Sequence, residues 1–114
     1  MKKIFSTFLL LNLFLTAATQ TTGDNRSFSS GDWAVAANWQ RFDGSNWINP
    51  APSAPNSSSG QVYIRSGHTI TISTNITIDQ IVIEAGATLT QNATITLNDD
   101  LRDDLAVIGT LKNS

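Results

Sequence analysis

From Gln61 to Leu97 apolar and polar residues alternate in short runs: HTITI (68–72), NITI (75–78) and ATITL (93–97). A period of two sends isoleucines to one side of a strand and threonines to the other. About half of the segment is β-branched, which favours extended backbone over helix. The segment also matches itself. Residues 61–79 and 80–98 superpose at an offset of 19, setting Ile64 against Ile83, Gly67 against Gly86, Thr69 against Thr88 and Ile76 against Ile95. One inward position breaks the match, Ile72 against Gln91. A third copy opens at Leu105-Ala106-Val107-Ile108-Gly109, with its surplus residues assigned to Asn98–Asp104.

A short repeat made of strands, without a helical pattern, predicts a solenoid in which each copy stacks on the last. The fold expected for 61–114 is all-β, a right-handed parallel β-helix with coils of about 19 residues. Its interior would hold columns of Ile, Leu and Val, with Gly67, Gly86 and Gly109 at sharp corners. Arg65 should lie over Glu84 on the outside as an exposed ion pair. The third copy stops at Ser114, so the array is expected to be C-terminally incomplete, continued by further coils of a longer chain or by end-on self-association.

The N-terminal half is organised differently. Lys2 and Lys3, the apolar run Ile4–Leu15 and the small residues Thr16-Ala17-Ala18 describe a secretory signal peptide over 1–18. The run is too short and interrupted for a membrane span, which needs ~20 apolar residues. Residues 19–30 are polar and read as a flexible leader. Residues 31–60 form a Trp-rich N-terminal cap and loop. This segment holds Trp33, Trp39 and Trp47, a turn at Asp43-Gly44-Ser45-Asn46, and the loop composition NPAPSAPNSSSG.

The runs GDW…ANWQRFDGSNW, SAPNSSSGQVYIRSGHTITI and TIDQIVIEAGATLT resemble the N-terminal part of secreted bacterial β-helix repeat surface proteins, which are often exported by the type IX route. More distantly, the glycine corners are similar to the eight-glycine β-helix domains of animal surface proteins. The resemblance implies secretion or a cell-surface location and a role in display or adhesion.

Charge and composition narrow the chemistry. The chain carries a net charge of −2, and signal cleavage would remove Lys2 and Lys3. An acidic chain makes a poor nucleic-acid binder. There is no cysteine, which excludes disulfides and thiolate chemistry. His68 is the only histidine, so no transition-metal cluster or Ser-His-Asp spacing can be read. Asp79, Glu84 and Arg65 do not make the paired carboxylates of a glycosidase. The acidic stretch Asn98–Asp104 lacks EF-hand spacing and reads as a solvated loop, not a calcium site.

The expectation is therefore a non-catalytic secreted or cell-surface structural module, without cofactor or metal. Two alternatives remain. Exposed Trp33, Trp39 and Trp47 could form a carbohydrate-binding platform for an extracellular polysaccharide. More remotely, stacked T-x-T ranks (Thr69/Thr71 over Thr88/Thr90) could bind ice.

Overall fold

The computed structural model describes residues 20–98 and 104–113. The expected signal peptide (1–18) and the middle of the acidic stretch (99–103) lie outside the described residues. The chain is all-β with largely parallel sheets.

Three sheets are built in turn by each repeat. The first repeat supplies β5 (Gln61–Ile64), β6 (Thr69–Ile72) and β7 (Ile76–Ile78), and the second supplies β8 (Gln80–Ile83), β9 (Thr88–Gln91) and β10 (Ile95–Leu97). Corresponding strands pair in parallel at the offset of 19: Ile64 with Ile83, Ile70 with Leu89 and Ile76 with Ile95. The third copy adds β11 (Leu105–Val107) beside β8 and β12 (Thr110–Asn113) beside β9. Here the spacing drifts. Leu105 pairs with Ile81 at an offset of 24, yet Thr110 pairs with Thr88 at 22. The chain between β10 and β11 is lengthened, and the corner between β11 and β12 is shortened.

Parallel register stacks like on like. Val62, Ile64, Ile70, Ile72, Ile78, Ile81, Ile83 and Leu89 are all essentially inaccessible and form one apolar cluster. Each removes most of a branched side chain from water, worth roughly 1.5–3 kcal/mol apiece. The threonines between them face outward, where a β-branched residue suits a half-exposed strand.

The expected leader contains structure. Asn25–Ser27 is a strand, β1, parallel to β5, and Gly31–Asp32 is a second, β2, parallel to β6. A further layer therefore precedes the repeats and begins within 19–30, not after it. Its polar sequence, DNRSFSS, carries no hydrophobic alternation, because the inward positions are Asn25 and Ser27. Side-chain bonds hold it instead: the buried carboxylate of Asp24 accepts the N–H groups of Thr21 (2.9 Å) and Gln61 (3.0 Å).

On the far side of β1 the sheet turns antiparallel, through β3 (Trp39–Phe42) and β4 (Trp47–Ile48). The β3–β4 turn is the expected one: Asp43 Oδ1 accepts the N–H groups of Ser45 (2.8 Å) and Asn46 (2.7 Å).

Candidate functional site

The three tryptophans do not share a surface. Trp33 and Trp39 are 2% and 0% exposed and belong to the core cluster with Ala51. Their rings meet edge to face at 4.9 Å. The indole N–H of Trp39 donates to Trp33 O (2.8 Å), and that of Trp33 donates to Pro55 O (3.1 Å). Rings buried and bonded in this way cannot stack on a sugar, so the three-tryptophan platform is corrected to a packed cap. Large aromatics bury the most area per residue and satisfy their polar tips internally.

Trp47 alone stays half-exposed. Its ring packs on Phe42 at 5.2 Å, and the guanidinium of Arg26 lies 4.1 Å from its centroid. Arg26 is fixed further by donating from Nε to Gln40 Oε1 (2.7 Å). This grouping sits on the outer face of the six-stranded sheet. Strand alternation puts Arg26 opposite Tyr63, with Arg65 and Glu84 following on the next two layers. Together with Gln20 and Trp47 these residues line a cleft of about 140 Å³.

The cleft has a defined electrostatic character. Burial and then the neighbouring Arg65 guanidinium hold Arg26 below its ordinary range, while Glu84 pulls weakly the other way. Burial, and next the charges of Asp24 and Glu84, push the Tyr63 phenol up, so it remains a neutral O–H donor. Arg65 and Glu84 do share a face, as their one-repeat separation predicts, but among the described residues no salt bridge within 4.0 Å joins them.

The corner glycines serve two different purposes. Gly67 (φ +88°) and Gly86 (φ +83°) each occupy the third position of a turn, closed by His68 N–H to Arg65 O (3.0 Å) and Ala87 N–H to Glu84 O (2.9 Å). That position needs positive φ, which glycine adopts without strain. Gly109 has no such φ. Its corner is two residues shorter, and a Cβ there would collide with the carbonyl oxygens of Glu84 and Ala87. Gly109 is a close-approach glycine rather than a third copy of the turn.

His68 follows the first corner and is bonded inward: its Nδ1 lies 2.7 Å from Ser27 Oγ, which also accepts the Arg65 N–H at 2.9 Å. Ser27 is 0% exposed, so this Ser–His pair has no access to a substrate. Among the described residues no group of three or more His, Asp or Glu side chains could hold a metal ion. The threonine rank runs Thr69, Thr88 and Thr110, but the neighbouring rank runs Thr71, Thr90 and Lys112, so a charge interrupts the pattern at the third layer.

Sequence reasoning missed the cleft because its residues come from three strands (β1, β4 and β5), from the ends that follow β5 and β8, and from Gln20 ahead of β1. Only the stacking register brings Arg26, Trp47, Tyr63 and Arg65 together, and the polar surroundings of Arg26 gave no sign of a strand. Among the described residues no helix is long and apolar enough to cross a membrane. Comparison of the chain with family models, with curated proteins and with solved structures finds no match.

Proposed function

We propose that the chain forms a right-handed parallel β-helix and serves as a non-catalytic secreted or cell-surface structural module for display or adhesion. One observation carries this reading. Leu105, Val107 and Leu111 occupy the same inward columns as Ile81, Ile83 and Leu89, yet they are 36%, 47% and 37% exposed where their partners are 0–1%. The interior columns end uncovered, with Ile108 beside them at 65%. A stacked array gains its stability from interfaces between neighbouring repeats. On this reading these exposed columns are the surface on which a further layer would stack.

The parallel pairings of residues 61–98 at one offset of 19 support the helical part of the reading, and the resemblance to exported bacterial repeat proteins supports the location. The packed Ser27–His68 pair favours a scaffold over an enzyme, since its hydroxyl is spent inside the fold.

Sedimentation velocity over a concentration series tests the proposal. The protein should self-associate, and Val107→Lys with Leu111→Lys should abolish association while leaving the circular dichroism of the sheets intact. Fusing an additional copy of residues 80–98 after Asn113 should raise the melting temperature. A monomer at every concentration, with a melt unchanged by the added repeat, would overturn it.

A further inference from the structure

The cleft around Arg26 holds two guanidinium groups whose terminal nitrogens have no acceptor among the described residues. Arg26 is immobilised through Nε by Gln40 and by its stacking on Trp47, and its Nη atoms make no hydrogen bond among the described residues. Arg65 uses its backbone N–H to hold Ser27, and its side chain likewise makes no hydrogen bond among the described residues. Arg26 and Arg65 against the one carboxylate of Glu84 give the lining of the cleft an excess of positive charge, on a chain of net charge −2. Two guanidinium forks are suited to an oxyanion, and Arg26, already held by Gln40 and Trp47, loses little rotamer freedom on binding one.

The remaining lining residues narrow the ligand. Glu84 would repel a bare inorganic anion, but its carboxylate is an acceptor for hydroxyl groups. Tyr63 adds a neutral O–H donor and an aromatic wall, and Gln20 adds an amide that both donates and accepts. A cleft with donors for an anion on one side and an acceptor for hydroxyls on the other fits a ligand that is both acidic and hydroxyl-rich. Its volume of about 140 Å³ suits one small ring unit rather than a larger ligand.

We propose that this cleft binds a uronic acid unit of an extracellular polysaccharide, with Arg26 and Arg65 on the carboxylate and Glu84 and Tyr63 on the ring hydroxyls. Tryptophan participates only through Trp47, as the shelf that orients Arg26. The site is independent of whether further repeats stack on the open end, so it stands or falls separately from the structural role.

Calorimetric titration of the purified protein tests the site with three probes: trigalacturonate, a neutral galactose trisaccharide and inorganic sulfate. Saturable binding of trigalacturonate is expected, weakened about tenfold by Arg65→Gln, the loss of one charge-assisted partner. Glu84→Gln should tighten it, because the amide oxygen still accepts while the repulsive charge is gone. A gain of affinity cannot come from misfolding. Binding should also weaken as salt is raised. The proposal fails if the neutral trisaccharide binds equally well, if sulfate matches the trisaccharide acid, if Arg65→Gln changes nothing, or if no probe binds.

Discussion

Ser27 and His68, 41 residues apart in the chain, are joined by a 2.7 Å hydrogen bond that ties the first layer to the corner of the second. The bond selects a protonation state. The Ser27 hydroxyl, buried and already accepting the Arg65 N–H, finds an outlet for its own proton at Nδ1 only while the imidazole is neutral. Burial, and next the charge of Arg65, accordingly hold His68 below its ordinary value of about 6.5. Because the folded-state value is depressed, the unfolded chain takes up the proton first, and stability falls as pH drops below about 6.5. Urea denaturation from pH 7.5 to 5 should show this decline. His68→Asn should flatten it without altering the slope produced by the carboxylates at lower pH.

Asn25 gives a prediction of the opposite sign. It is fully buried in the column above Val62 and Ile81, and among the described residues neither Oδ1 nor Nδ2 has a hydrogen-bond partner. A buried polar group left unmade costs roughly 1–3 kcal/mol. Asn25→Val should therefore stabilise the protein by about 1–2 kcal/mol in chemical denaturation, since valine is also the residue one layer on.

The tryptophans should separate by role. Trp39→Ala removes a fully buried ring and the bond to Trp33 O, and is expected to cost about 3–5 kcal/mol. Trp47→Ala removes a half-exposed ring and one cation–π contact, and should cost no more than about 1 kcal/mol. Thermal melts of the two variants measure the difference.

The glycines should rank against their backbone angles. Gly67→Ala meets open space and is penalised only by its positive φ, about 1–2 kcal/mol. Gly109→Ala has no such penalty, but its methyl group would meet two backbone carbonyls that cannot rotate away. Hydrogen exchange should show β12 losing protection in Gly109→Ala while β6 and β9 keep theirs in Gly67→Ala.

The parallel pairings of residues 61–98 were legible because identical side chains recur at one spacing, and Ile64 over Ile83 is the visible consequence. The first layer was not, since a strand whose inward residues are Asn25 and Ser27 has no hydrophobic period to detect. Its place in the sheet is set by backbone pairing and by Asp24. The third copy was placed correctly, but Gly109 was equated with Gly86 because the letters agree. The pairing of Thr110 with Thr88 shows a tighter corner in which the glycine answers a different crowding. The cleft was invisible for a simpler reason: no local pattern records which outward residues of different layers become neighbours.

The lengthened passage between β10 and β11 has a practical meaning. Leu97 still pairs with Ile78 before it, and Leu105 with Ile81 after it. The sheets thus constrain where the chain re-enters and leave the contour length between those points open. An insertion spliced between Leu97 and Leu105 would leave both of these pairings in place, which makes this junction a graft site the frame can tolerate.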